Sequence, residues 1–66
     1  MIEKEKLLEN IEMHFTGRFT VLMAIKQFAN DTKQRYNYQE FWNALRQLKT
    51  DGVVKQISKG WYKLAE

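Results

Sequence analysis

Apolar residues recur along the first sixteen positions with a helical beat. Leu7, Leu8, Ile11 and Phe15 fall at spacings of one, three and four. That is one stripe of an amphipathic helix over about residues 3–14. Its acids lean toward the start, where the helix dipole favours them. Thr16-Gly17 follows, and a left-handed glycine is expected to close the helix. In the next segment Val21, Leu22, Met23, Ala24, Ile25, Phe28 and Ala29 leave only Lys26 and Gln27 polar. A helix over about residues 21–30 with that pattern is expected to lie buried on most sides. Thr20 stands where an N-cap belongs. The β-branched residues of 19–25 also permit a strand, but Ala24, Lys26, Gln27 and Ala29 favour a helix over the full length. The polar stretch 31–37 reads as a loop.

A third helix is expected to start at Asn37. Asn37 and Glu40 have the spacing of a capping box, with Asn in place of Ser or Thr. Phe41, Leu45 and Leu48 then repeat at i, i+4 and i+7, the mark of a buried stripe. Asp51-Gly52 ends the helix. Residues 53–57 form a strand by their β-branched content, Ser58-Lys59-Gly60 is a short turn, and residues 61–64 return. On the return strand Tyr62 and Leu64 alternate with Trp61 and Lys63, so one face can meet a core. The expected fold class is α+β: three helices followed by a two-stranded β-hairpin, one domain over residues 1–66. Met1 fits a natural start and a complete small polypeptide.

The stretch 45–64, LRQLKTDGVVKQISKGWYKL, resembles the end of a winged helix-turn-helix domain. Leu45, Leu48, Gly52, Val53, Val54, Gly60, Tyr62 and Leu64 fill that family's apolar, turn and wing-tip places. The closing KGWYKL is similar to the N-terminal winged helices of abortive-infection antitoxins, and to many small phage and plasmid regulators. As a fold the resemblance covers about residues 5–65; its motif-bearing part is 37–64. It implies double-stranded DNA as partner, a recognition helix at about 38–50 in the major groove, and a wing at 53–64 on backbone or minor groove. Gln39, Asn43, Arg46 and Thr50, with Gln47 beside them, form the outer ridge of that helix. Arginine suits guanine, amides suit adenine, and threonine suits a methyl or phosphate. Lys49 and Arg35 flank the ridge as phosphate contacts. Lys55, Lys59 and Lys63 on the wing would reach backbone or the adjacent minor groove. Two departures stand out. About seven residues separate Asn30 from Tyr38, against 3–4 in the usual helix-turn-helix, and the second helix is unusually apolar.

Composition narrows the alternatives. The 66 residues contain no cysteine and no proline. Disulfides, thiolate metal sites and cysteine nucleophiles are therefore excluded. The longest apolar run, Val21 to Ile25, is far short of the roughly 20 residues of a membrane helix. The mixed-sign start is not a signal peptide. A soluble, cytoplasmic protein is the expectation. The net charge of +3 is unevenly spread. Residues 1–16 hold Glu3, Glu5, Glu9 and Glu12 against Lys4 and Lys6; the rest holds nine Lys or Arg against four acids. A basic body behind an acidic first helix suits an anionic partner.

Catalytic chemistry finds little support. His14 and Ser58 are the single residues of their types, and nothing pairs a base with a nucleophile. Glu5, Glu9 and Glu12 share a helix face, but such ladders are ordinary solvated surface. The three glycines stand apart and form no phosphate loop. No enzyme, metal, cofactor or small-molecule substrate is expected. The rival reading is a protein–protein adaptor on the same scaffold, prompted by Tyr36, Tyr38, Trp42 and Trp61. A single-strand or RNA ligand would need both tryptophans exposed. The first helix's stripe is core, with a homodimer contact as its second role.

Overall fold

Residues 2–65 are described by a computed structural model, so Met1 and Glu66, the two ends of the expected domain, lie outside it. The chain runs α1 (Lys4–His14), β1 (Phe19–Thr20), α2 (Val21–Thr32), α3 (Tyr38–Thr50), β2 (Val54–Ser58) and β3 (Trp61–Leu64). This is an α+β fold: three helices, then a C-terminal hairpin, a layout compatible with a winged helix. The caps follow side-chain chemistry. Thr20 Oγ1 accepts from the Met23 amide at 3.2 Å, and Asn37 Oδ1 accepts from the Glu40 amide at 2.7 Å. Each satisfies an N–H that the helix's first turn leaves without a partner.

The sheet is larger than the expected two strands. β1 pairs antiparallel with β3, Phe19 opposite Tyr62 and Thr20 opposite Trp61, giving the order β1-β3-β2. Two residues are too few to leave a periodic signal. Their extended state comes from a partner about forty positions away in the chain. Between β2 and β3 the register shifts from Gln56↔Tyr62 to Ser58↔Trp61, which leaves Ile57 as the extra residue of a bulge. Ser58 belongs to β2, not to the turn. The turn is Lys59-Gly60, and Gly60 takes φ +81°.

The core draws on every element. Leu7, Ile11, Phe19, Phe41 and Leu45 are fully buried, and Leu48, Val54 and Tyr62 nearly so. The α1 stripe thus serves the core as expected, through Leu7 and Ile11, with Leu8 and Phe15 half-buried beside them. Burying about ten such side chains, at about 1.5–3 kcal/mol each, is the main force holding the domain. The ring of Phe28 lies 5.1 Å from Tyr36 and 6.1 Å from Phe41, so the α2–α3 connection is pinned to the core.

Three other expectations need correction. α1 closes with Phe15 in extended conformation, and Gly17 is not left-handed. α2 continues through Asp31 and Thr32 because Thr32 Oγ1 turns back onto the Phe28 carbonyl at 2.8 Å and Lys33 closes it at φ 56°. That shortens the connection before α3 to Lys33 through Asn37. Nor is α2 buried on most sides: Leu22 is 68% and Met23 43% exposed.

Asp31 also ties α2 to α1. Its carboxylate accepts from Asn10 Nδ2 at 2.7 Å, from Gln27 Nε2 at 3.0 Å, and from His14 Nε2. These donors, Asn10 foremost, hold the carboxyl below its ordinary value, against partial desolvation. The folded chain therefore binds this proton less readily than the unfolded chain does. The resulting stability is complete above the ordinary value of 3.8 and is lost as pH falls through the folded value. Stability should decline on acidification below about pH 4, and Asp31→Asn should flatten that decline. Urea midpoints across this range check it; an undiminished acid loss in the variant would exclude Asp31 as its source.

Candidate nucleic-acid interface

α3 presents two opposite faces. Phe41, Ala44, Leu45 and Leu48 are buried against α1, α2 and the hairpin. Gln39, Asn43, Arg46 and Thr50 are exposed, and the 100° advance per residue puts them on the far side in one ridge. Gln47 is exposed on one flank. Gln39 Nε2 donates to Asn43 Oδ1 at 3.1 Å, so two of the ridge's amides hold each other in place.

The hairpin adjoins the other flank of α3. Trp42 meets Tyr62 edge-on at 6.0 Å between ring centres. Lys49 Nζ donates to Gln56 Oε1 at 3.1 Å, linking the end of α3 to β2. Gln56 and Tyr62 are cross-strand partners, so their side chains share the face toward α3. Lys55 and Lys63 are the next pair and share the opposite face. Lys59 is exposed at the hairpin tip. The expected basic set is therefore divided. Lys49 adjoins the ridge, Lys59 projects beyond it, and Lys55 with Lys63 face away from α3. Lys63 also shares a cleft with Glu12 and Phe15, which ties it to the end of α1. Arg35 is exposed in the connection before α3.

The aromatic residues sort clearly. Tyr36 is half-buried on Phe28, and its hydroxyl is within 3.1 Å of both Thr32 Oγ1 and Gln34 Oε1. Trp42 and Trp61 are both half-buried. Arg18 lies over the Trp61 ring at 4.7 Å, a cation–π pair on the sheet. Neither indole stands free as a stacking platform, which removes the condition for a single-strand reading. Tyr38 is 54% exposed in the first turn of α3 and lies close enough to raise the Tyr62 phenol, although burial is the larger cause there. The sequence pattern did not single out Arg18 and Gln56. Gln56 had a signal, since parity with Val54 put it on the core side of its strand. Arg18 had none, because its partner is 43 positions away.

The electrostatics are one-sided. Among the described residues, Lys4 is the one lysine or arginine with a carboxylate within 4.0 Å, at 2.6 Å from Asp51 Oδ2. That bond raises the Lys4 ammonium above its ordinary value and occupies an acid just beyond α3. Arg46, Arg35, Lys55, Lys59 and Lys63 have no such partner. Lys55 directly opposite Lys63 repel across the strands. Among the described residues no group of His, Asp and Glu could hold a metal ion, and no helix is long and apolar enough to cross a membrane. No protein-family model, curated protein or solved structure matches the chain.

Proposed function

We propose that this chain is a small double-stranded DNA-binding protein of the winged-helix kind, a transcriptional regulator similar to those of phages and plasmids and acting in the cytoplasm. α3 enters the major groove with Gln39, Asn43, Arg46 and Thr50 toward base edges. Gln47 stands on one flank. Lys49, Arg35 and the wing tip at Lys59 contact phosphates. Lys55 and Lys63, on the outer face of the hairpin, add positive field rather than contacts beside α3. The observation that carries this reading is the α3 ridge itself: exposed amides and an arginine without a carboxylate partner, flanked by a hairpin. A solvated outer helix face usually mixes both signs of charge; this ridge holds no acid.

Arg46→Ala tests it. The variant should fold as the parent does, because Arg46 is exposed and outside the core. It should lose about 1–3 kcal/mol of affinity for the preferred duplex. Fluorescence anisotropy on that duplex gives the answer. Unchanged affinity together with unchanged site preference would remove α3 as the recognition helix.

A protein–protein adaptor remains the second reading, because Leu22 and Met13 are each 68% exposed. Large apolar side chains left in water offer a protein partner area to bury. Salt separates the two readings: a contact centred on these side chains should barely respond to it.

A further inference from the structure

We infer that the α3 ridge is built to read an A·T pair next to a G·C pair in the major groove. This rests on the duplex reading above and goes beyond it, because it assigns the bases. The ground is the hydrogen bond between Gln39 and Asn43. A side-chain amide offers one acceptor oxygen and two N–H donors. When Gln39 donates one N–H to Asn43 Oδ1, the Gln39 oxygen, its second N–H and the Asn43 amino group are left over. Had the two amides been turned the other way, one oxygen and one amino group would still be left over. The pair therefore acts as one unit that carries both a free acceptor and free donors. Adenine shows the complement at its major-groove edge, the N7 acceptor beside the N6 amino donor. Guanine offers two acceptors there and no donor, so the free amide oxygen would find no partner on it.

The surroundings agree with a base edge. A depression of about 360 Å³ beside the pair is bordered by Gln39, Asn43, Ala44 and Gln47, with Ile2 in its wall. Glu40 also borders it, which suits a base edge better than a phosphate. Arg46 stands one turn further along the ridge, without a carboxylate partner to hold its fork of donors back. Three residues of helix advance about 4.5 Å, close to one base-pair step of about 3.4 Å. So Arg46 falls on the neighbouring pair, where a bidentate arginine selects guanine through O6 and N7. Because the amide pair is already tied together, less side-chain freedom is lost on binding than for two separate amides.

Selection from a randomised duplex library with the full chain tests the assignment, using the parent, Asn43→Ala and Arg46→Ala. Parent-selected sites should share adenine next to guanine. Asn43→Ala should lose the adenine preference by about 5- to 150-fold and keep guanine. Arg46→Ala should do the reverse. Replacing the selected adenine by 7-deazaadenine, which lacks the N7 acceptor, should weaken the parent and leave Asn43→Ala unmoved. Parent sites without a shared adenine, or an Asn43→Ala variant that keeps the preference, would overturn the assignment. Salt-sensitive retention of duplexes with no enriched sequence would overturn it while leaving duplex binding intact. If no duplex is retained even at low salt, the duplex reading falls with it.

Discussion

Phe41→Ala should destabilise the domain by about 3–5 kcal/mol, the usual cost of emptying a phenyl-sized site in a core. Phe41 is fully buried, packs on Phe28 and sits where α3 crosses the other helices. A chain of this size has about 3–10 kcal/mol of stability in total, at about 0.05–0.15 kcal/mol per residue. The variant should therefore be largely unfolded at about 37 °C, or melt about 15–30 °C below the parent. Circular dichroism melts check this, with Gln47→Ala as the control. Gln47 is exposed, and its variant should stay within about 0.5 kcal/mol of the parent. A Phe41→Ala protein that melts within a few degrees of the parent would mean that α3 does not anchor the core.

Duplex affinity should fall about 40-fold when salt rises from about 50 mM to about 200 mM. Arg35, Lys49 and Lys59 are the phosphate contacts of the proposed complex; all three are exposed and have no carboxylate partner. About three neutralised phosphates give a slope near −2.7 in log affinity against log salt. Lys59→Ala should make that slope shallower by about one, with little effect on sequence preference. Lys63→Ala should change it less, because Lys63 lies on the far face of the hairpin in a cleft with Glu12. Equal slopes for all three proteins would mean that the wing tip does not touch DNA.

How far the fold could be read in the sequence depends on the reach of each signal. The caps at Thr20 and Asn37 and the stripe Phe41, Leu45, Leu48 are local patterns, and the structure has them where the spacing placed them. The hairpin was legible too, because Gly60 and the alternation around Tyr62 are local. β1 was not. Phe19 and Thr20 are extended because Tyr62 and Trp61 pair with them. The end of α2 was misplaced for a related reason. Asp31 and Thr32 read as loop by composition, yet Asn10, Gln27 and His14 hold one and the Phe28 carbonyl holds the other. Leu22 and Met23 show the limit of hydropathy, which cannot tell an apolar residue in the core from one at the surface.

The interface divides along the same line. That Gln39, Asn43, Arg46 and Thr50 are exposed followed from the helical period opposite Phe41 and Leu45. That Gln39 and Asn43 are joined, and that Lys49 reaches Gln56, are geometric facts that spacing allows but does not fix. Arg18 over Trp61 joins two ends of the chain that no local pattern connects.

The measurement that bears most directly on the central claim is an amide NMR titration of the full chain with a short random duplex, first at low and then at moderate salt. The amides of Gln39, Asn43, Arg46 and Thr50 and of the Lys59 tip should shift, less so as salt rises, with α1 unmoved. A spectrum that ignores the duplex at low salt, or shifts centred on Met13 and Leu22, would contradict it.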